Sequence, residues 1–317
     1  MNFPVFDLHC DTTFELLGDD FRQCGSLKAN ELHIDLDRAG ELPGYAQCFA
    51  CFTTQSDLLD NKIDPVQLFE REIATFFREI ERNPRSIRQA YSAKDIVSNN
   101  QKGIISGILT IEGPAGFGYD PALLEDLYKV GFRISTLGWN EQNPLTGSHI
   151  TGGGLTDLGK EYIKEAQRLG MIIDLSHISD EGFWDAMEIT NAPLIASHSN
   201  SRNVHNVSRN LTDDMFRAIC QTGGVTGINF YAPFLGEAAD LDTICDHIEH
   251  FLSIDPEGKH IALGGDLDGG RPLPEGFNGV QDYPKLAAKL LERGIAESTV
   301  MDVFWNNAVG VIEKCCI

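Results

Sequence analysis

Residues 6–13 of the chain read FDLHCDTT, a short apolar strand that ends in a histidine and an aspartate. Side chains alternate across a strand, so we expect His9 and Asp11 on one side and Cys10 on the other. Two such groups on one side are compatible with half of a metal site. They are also compatible with a hydrogen-bonded pair that caps the strand. A motif this short does not decide between the two readings.

Short apolar stretches of this kind recur along the chain, and amphipathic stretches lie between most of them. Eight strands are predicted at 3–8, 45–52, 104–111, 132–137, 171–175, 193–197, 224–230 and 260–265. Helices are predicted at 65–82, 158–169, 240–252, 283–293 and 297–314. Strands that alternate with helices predict a parallel sheet covered on both faces. Eight such units favour an α/β fold of the closed (β/α)8 TIM-barrel type, with C-terminal helices. We expect residues 1–317 to form this single domain.

The composition excludes several classes of partner. The chain has 25 Lys and Arg against 47 Asp and Glu, a formal net charge of −22. No basic stripe is available to meet phosphates, so we expect neither nucleic acid nor membrane as a partner. The first residues lack the basic and apolar segments of a signal peptide, which predicts a cytoplasmic location. The 8 cysteines then need not pair. A homodimer is compatible with these features.

Residue types that bind metals stand at the carboxyl ends of five predicted strands. They are His9 with Asp11, Glu112, His177, His198, and Asp266 with Asp268. In a barrel all these strand ends meet at one mouth, where the active sites of that fold lie. Each residue has an ordinary alternative role, such as capping a loop or satisfying a hydrogen bond. Because these alternatives would require several unrelated coincidences, we favour one shared site.

The three histidines with Asp11, Glu112 and Asp266 are more than one zinc ion needs, because a catalytic zinc typically takes three protein ligands. Two ions bridged by a carboxylate use the set better. We expect two ligand pairs and one bridge: His9 with Asp11, His177 with His198, and Glu112 between them. Asp266 is then free to transfer protons. Imidazole with carboxylate suits zinc first, with manganese and iron as alternatives.

Six ordered motifs resemble those of one known family. They are DLHCD at 7–11, IEGP at 111–114, GLTDLGKEYIKEAQRLGMIIDLSHIS at 154–179, PLIASHSNSRNVHNVSRNLTDD at 193–214, INFY at 228–231 and HIALGGDLDG at 260–269. Together they resemble the membrane (renal) dipeptidase family, metal-dependent dipeptidases of the amidohydrolase barrel superfamily. The resemblance runs from about residue 5 to residue 310 and is most specific in the 155–214 block and in GGDLDG.

The resemblance implies a zinc-dependent dipeptidase with two Zn²⁺ per chain, bound by the ligand set above, and a bridging hydroxide that attacks the amide bond. Small dipeptides are then the expected partner. The resemblance implies that Asp266 handles protons and that Arg209 binds the free carboxylate of the substrate. It also places Tyr231 in the substrate pocket. Without the resemblance, Arg209 could equally be a surface arginine paired with Asp213 or Asp214.

The chain departs from the family where animal members carry a pocket histidine after the fourth strand. Here TLGWNEQN, residues 136–143, places Trp139 at that position, followed by Asn140. Asn140 could donate a hydrogen bond to an oxyanion, while Trp139 could pack against a substrate side chain. His149 is a weaker substitute for the missing imidazole. The departure leaves the substrate range open.

Two alternatives to a dipeptidase remain at this stage. An N-acyl-amino-acid deacylase or a lactonase could use the same centre, because it attacks any activated carbonyl. A metal-binding or scaffold protein without turnover would also keep the barrel. The scaffold reading is disfavoured because all six ligand-type residues are present.

Overall fold

The computed structural model describes residues 3–22, 25–55 and 62–316. Its framework is one sheet in which every strand pairing is parallel. The strands are β1 (Val5–Cys10), β2 (Tyr45–Phe52), β3 (Ile87–Gln89), β4 (Ile105–Glu112), β5 (Phe132–Thr136), β6 (Ile172–Asp174), β7 (Leu194–Ile195), β8 (Thr226–Ile228) and β9 (Ile261–Leu263). Their order in the sheet is β7-β6-β5-β4-β2-β1-β9-β8, with β3 paired to β4 alone.

A parallel bridge between Ala196 and Thr226 joins the two ends of this order. The Ala196 amide donates to the Val225 carbonyl at 3.1 Å, and the Gly227 amide donates to the Ala196 carbonyl at 2.8 Å. Eight strands therefore form a nearly closed barrel, which confirms the predicted fold class. The ninth strand, β3, lies outside the ring. The sequence did not predict it because its three residues carry only one apolar side chain, Ile87.

Helices follow most strands and cover the outside of the barrel. The α-helices are Thr12–Glu15, Leu36–Ala39, Pro65–Arg82, Ala93–Gln101, Leu124–Val130, Asp157–Leu169, Asp180–Ile189, Asp213–Thr222, Ala232–Leu235, Leu241–Ile254, Tyr283–Glu292, Glu297–Met301 and Asn307–Cys315. Short 3₁₀ turns lie at Pro114–Phe117, Pro121–Leu123 and Val280–Asp282, and a π-helical turn at Asp302–Asn306. The predicted helix at 65–82 is confirmed with the same first and last residues, and the Asp64 carboxylate caps its first turn. The helix predicted at 297–314 is interrupted by the π-helical turn.

The barrel interior is filled by apolar side chains from all around the ring. This cluster comprises Phe6, Leu8, Ala46, Cys48, Ile108, Ile134, Ile172, Ile195, Val225 and Ala262. The C-terminal helix belongs to the same cluster through Ala308, Val311 and Ile312, preceded by Trp305. The Trp305 ring lies 6.1 Å from the ring of Phe6, near the start of β1. The amino-terminal end of the barrel is therefore sealed by apolar packing, and polar groups are left to the carboxyl end.

A bulge in β1 brings His9 into the barrel mouth. Asp7 pairs with Gln47 and Cys10 with Phe49, so Leu8 and His9 together face one residue of β2. Leu8 faces the barrel interior, so strict alternation would turn both Asp7 and His9 outward. Asp7 does lie buried outside the ring, where it accepts hydrogen bonds from Tyr283 and from the Gly265 amide. The bulge turns His9 inward. Beyond the bulge alternation resumes, and His9 and Asp11 share a side as expected.

Two further findings concern the described residues alone. No helix within 3–22, 25–55 and 62–316 is both long and apolar enough to cross a membrane. The cysteines described in these ranges are all free, and Cys48, Cys51, Cys315 and Cys316 are buried. Buried free cysteines behave as small apolar side chains.

Trp305→Ala should destabilise the protein, because it removes the aromatic plug that packs against Phe6. Trp305 is 7 % exposed, and truncating a buried Trp costs about 3–5 kcal/mol. The matched control is Trp184→Ala, since Trp184 is 42 % exposed on an outer helix. Urea unfolding of both variants checks this expectation. Equal shifts of the unfolding midpoint would show that the C-terminal helix does not seal the barrel.

Candidate metal centre

The Glu112 carboxylate, at the end of β4, is the centre of a buried cluster at the barrel mouth. Its Oε2 lies 3.2 Å from Nε2 of His9, and its Oε1 lies 3.0 Å from Nε2 of His177. Nε2 of His198 lies 3.8 Å from the same Oε1. All four residues are buried. One carboxylate thus contacts imidazoles from three different strand ends.

Two aspartates complete the cluster on the His9 side. Asp11 Oδ2 lies 3.4 Å from His9 Nε2, and Asp266 Oδ1 lies 3.9 Å from it. Asp266 Oδ2 accepts a hydrogen bond of 2.9 Å from the side-chain amide of Asn229. Two sets of ligand atoms fall within 4.8 Å of one another: His9, Glu112 and His198, and His9, Asp11 and Asp266. Asp266, which the sequence interpretation set apart from the ligands, therefore lies among them.

Unusual backbone conformations orient some of these side chains. His177, Asp266 and Asp268 have φ angles of 71°, 55° and 71°, in a region that non-glycine residues rarely adopt. Such conformations cost about 1–3 kcal/mol each and persist where the surrounding structure holds them. The Asp268 carboxylate accepts hydrogen bonds of 2.6 Å from Thr12 Oγ1 and from the His33 amide. Asp268 thus ties the loop after β9 to the segment after β1.

A buried carboxylate that the sequence analysis did not single out fixes the tautomer of His198. The Ser197 hydroxyl donates to Asp174 Oδ2 and lies 2.6 Å from Nδ1 of His198. An ionised carboxylate only accepts, so the hydroxyl proton is committed to Asp174 and the proton on Nδ1 points to Ser197. Nε2 of His198 then presents a lone pair to the cluster. Asp174 stands out in the sequence as a carboxylate within the apolar strand MIIDL.

His177 is oriented in a similar way by Asn140. The Asn140 Oδ1 lies 2.8 Å from Nδ1 of His177 and 2.9 Å from Nε2 of His149. An amide oxygen only accepts, so both rings donate to it, and Nε2 of His177 also presents a lone pair. This is a positioning role for Asn140, besides any donation by its side-chain nitrogen. His149 contacts Asn140 and Ser208 and does not line the cavity described below.

The orientation of these rings fits a bound cation. The Nε2 atoms of His177 and His198 lie 3.0 Å apart, and with both lone pairs directed inward neither nitrogen supplies a proton to the other. Nε2 of His9 has no hydrogen-bond partner within the described ranges. Inward-facing imidazole nitrogens and carboxylate oxygens are the ligands that zinc and similar divalent ions take. The residues present therefore fit a metal centre.

Burial and neighbouring charges shift the pKa values of the cluster in different directions. Burial lowers the pKa values of His177 and His198 well below the usual value, helped by nearby cationic side chains, so both rings are neutral. At His9 burial opposes the charge, but the carboxylates of Glu112 and Asp11 outweigh it and raise the pKa well above the usual value. Burial chiefly raises the pKa values of Asp11 and Asp266 to about 6.

Arg209 is buried, at 4 % exposure, and lines a narrow pocket together with His177 of the cluster. Its Nη1 donates to Ser199 Oγ at 2.7 Å, whereas Nε and Nη2 have no partner among the described residues. Its guanidinium lies 5.7 Å from the ring of Phe234. The alternative of a surface arginine paired with nearby aspartates is wrong: Asp213 contacts His250 and Arg217, and Asp214 contacts Arg217.

A cavity of about 320 Å³ opens from the cluster to solvent. This volume is at the lower end of small-molecule sites, which span about 300–1,000 Å³. Its walls are Asp11, Phe14, Glu15, Phe52, Glu112, Trp139, Asn140, His177, Tyr231, Phe234, Asp266, Asp268, Gly269, Gly270 and Arg271. Trp139, Asn140 and Tyr231 are among these residues, whereas Arg209 is not. The aromatic residues Phe14, Phe52 and Phe234 were missed, because nothing in the local pattern separates them from core residues.

A parallel barrel with such a cluster at its carboxyl mouth is typical of metal-dependent amidohydrolases. The chain belongs to the membrane dipeptidase family, Peptidase family M19, whose family model matches residues 1–315. The expected family is thereby confirmed.

Relatives of this chain include uncharacterized proteins from yeast and bacteria. An uncharacterized dipeptidase of Schizosaccharomyces pombe is 36% identical over 214 residues, 65% of this chain and 52% of the relative. The chain therefore spans about half of that protein. An uncharacterized protein from the pqqA 5′ region of Klebsiella pneumoniae is 33% identical over 265 residues, 79% of this chain and 97% of the relative.

Two solved structures of similar proteins cover nearly the whole chain. The M19 metallo peptidase called dipeptidase AC has a TM-score of 0.88 at 27% identity, covering 100% of this chain and 99% of its own. A metallo peptidase from Rhodobacter sphaeroides, liganded with a phosphinate mimic of the dipeptide L-Ala-D-Ala, has a TM-score of 0.87 at 27% identity. There the coverage is 99% of this chain and 100% of that one.

Ser197→Ala should weaken metal binding, because it removes the hydroxyl that holds the His198 tautomer. Loss of such a supporting partner typically costs about 10–100-fold in metal affinity. Competition of the purified variant with a zinc chelator measures the effect. The matched control is Ser135→Ala, which removes a buried hydroxyl of β5 that is bonded to Tyr162. Equal zinc affinity in the two variants would contradict the role of Ser197.

Proposed function

We propose that this protein is a zinc-dependent dipeptidase that hydrolyses the amide bond of dipeptides with a free C-terminal carboxylate. The observation that carries the proposal is the position of Glu112 between His9 on one side and His177 on the other. One carboxylate in contact with both sides can bridge two cations. Membership of the M19 family supports the reaction class. We further propose that residues 1–317 act as one domain.

The ligands proposed for two zinc ions are His9 with Asp11, His177 with His198, and Glu112 as the bridge. Two bound divalent ions would supply Lewis-acid polarisation of the scissile carbonyl and a water whose pKa is lowered toward neutrality. The protein orients the rings for this role. Asn140 and the Asp174–Ser197 pair direct Nε2 of the second histidine pair toward the cluster.

Asp266 is proposed as the general base and acid. Burial raises its pKa to about 6. A pKa close to neutral pH allows a carboxyl group both to accept and to donate a proton during the reaction. Asn229 holds one carboxylate oxygen, while the other faces His9 at the cavity wall. From this position Asp266 can accept a proton from the attacking water and deliver it to the leaving amine.

Arg209 is proposed to bind the terminal carboxylate of the substrate. Nε and Nη2 form one edge of the guanidinium, the fork that matches two carboxylate oxygens. Both donors are buried without partners among the described residues, and an unpaired buried donor costs free energy. A carboxylate would satisfy them. A fixed clamp at this end suits a short substrate.

An N-acyl-amino-acid deacylase would use the same clamp, so another feature must separate the two functions. Membership of the membrane dipeptidase family is that feature, and it favours a dipeptide, which has a free amine that an acyl-amino acid lacks. A lactone has neither the amine nor the carboxylate. Rates on a dipeptide panel and an acyl-amino-acid panel distinguish the three functions.

Asp266→Asn should retain bound zinc but lower kcat by about 10²–10⁴-fold, the usual contribution of a general acid–base group. The amide keeps the size of the carboxyl group and cannot accept the proton. Zinc content and kcat are measured on the same preparation. Near-normal turnover at full zinc content would move the proton role elsewhere, with Asp268 the first residue to test.

Arg209→Ala should lower kcat/KM for a dipeptide by at least about tenfold, because charge-assisted hydrogen bonds contribute about 1.5–3 kcal/mol. The effect should fall mainly on KM, since the carboxylate lies away from the bond that breaks. The same change should reduce the difference between a dipeptide and its C-terminal amide. Arg217→Ala, on an outer helix, is the control. If wild-type protein cleaves the amide as well as the free acid, Arg209 is no carboxylate clamp.

A further inference from the structure

Three aromatic side chains form a continuous surface on one side of the cavity. The ring centroids of Phe14 and Phe52 lie 5.7 Å apart, and those of Phe52 and Trp139 lie 5.2 Å apart, both in edge-to-face geometry. All three residues line the cavity. We call this surface the aromatic wall. Phe14 and Trp139 are only partly buried, so they present apolar area to whatever occupies the cavity.

The aromatic wall lies across the barrel mouth from Arg209. Phe52 ends β2, whereas Arg209 follows β7. In the ring β7-β6-β5-β4-β2-β1-β9-β8, closed between β8 and β7, β2 is equally distant from β7 in both directions. Phe14 follows β1 and Trp139 follows β5, so both flank the Phe52 side. His177 of the ligand cluster lines both this cavity and the narrow pocket that Arg209 lines.

We propose that the aromatic wall binds the side chain of the amino-terminal residue of the substrate and selects dipeptides in which that residue is apolar. The inference rests on the proposed function. With the terminal carboxylate on Arg209 and the scissile carbonyl at the ligand cluster, the amino-terminal residue must extend toward the β2 side. There its side chain contacts three aromatic rings. An apolar or aromatic side chain is stabilised by burial against these rings and by edge-to-face contact with them.

The charged residues at the same rim do not favour a charged side chain. Arg271 Nη2 lies 3.6 Å from Glu15 Oε2, so each of these charges already has an opposite partner. A basic substrate side chain would compete with Arg271 for Glu15, and an acidic one would compete with Glu15 for Arg271. Neither gains a free partner, whereas an apolar side chain leaves the ion pair intact.

The test compares dipeptides that differ only at the amino-terminal residue. With zinc-loaded protein, kcat/KM for Phe-Ala and Leu-Ala should exceed that for Gly-Ala by at least about tenfold, the discrimination expected of an apolar pocket. Glu-Ala and Lys-Ala should not exceed Gly-Ala. The reversed series, Ala-Phe against Ala-Gly, should show a smaller preference, because that side chain lies on the Arg209 side.

Variants of the wall tie the preference to these residues. Trp139→Ala and Phe14→Ala should each reduce the Phe-Ala to Gly-Ala ratio by at least about fivefold, and Trp139→Phe should restore most of it. Trp184→Ala removes an exposed Trp outside the cavity and should leave the ratio unchanged. An unchanged ratio in Trp139→Ala would overturn the role of the wall.

The outcomes separate this inference from the function on which it rests. Hydrolysis of dipeptides with no apolar preference, or with a preference for a charged amino-terminal residue, overturns the aromatic wall alone. Failure of the zinc-loaded wild-type protein to hydrolyse any of these dipeptides overturns the proposed function and the inference with it. If an apolar residue is preferred only in the reversed series, the assignment of the aromatic wall to the amino-terminal residue is overturned.

Discussion

The contacts of the Glu112 carboxylate with imidazoles from three strand ends are the constraint on which the rest of the site depends. They require the ends of β1, β4, β6 and β7 to meet within about one side-chain length, which a closed parallel barrel achieves. They also require each ring to turn inward. A bulge turns His9, and a left-handed backbone conformation turns His177. The barrel positions the strand ends, and local irregularities aim the ligands.

Such a cluster is costly to bury, and the structure shows how the cost is offset. Charged groups out of water lose hydration and remain only where they are paired or bind a cation. The opposite end of the barrel is filled by apolar side chains and sealed by the C-terminal helix. Around the cluster, Ser197, Asp174 and Asn140 are committed to orienting two of the rings. Apolar packing at the amino-terminal end of the barrel thus offsets the free energy lost to buried charges and backbone strain at the carboxyl end.

Much of this arrangement could be predicted from the sequence, because strand–helix alternation and polar residues at strand ends are local patterns. Eight of the nine described strands and the cluster of His9, Glu112, His177 and His198 follow from them. The bulge was not predictable, since it appears only in the register of β1 against β2. The hydrogen bond between Ser197 and Asp174 and the contacts of the aromatic wall were not predictable either, because they join residues that are far apart in the sequence. Hydrophobic periodicity indicates which face of an element is apolar, but it does not indicate which loops lie next to each other.

The most direct test of the account is anomalous X-ray diffraction at the zinc edge from crystals of the zinc-loaded protein. The account predicts two peaks per chain, both in contact with Glu112, one beside His9 and Asp11 and the other beside His177 and His198. A single peak, or peaks that leave Glu112 without a metal contact, would contradict the proposal that this carboxylate bridges two ions.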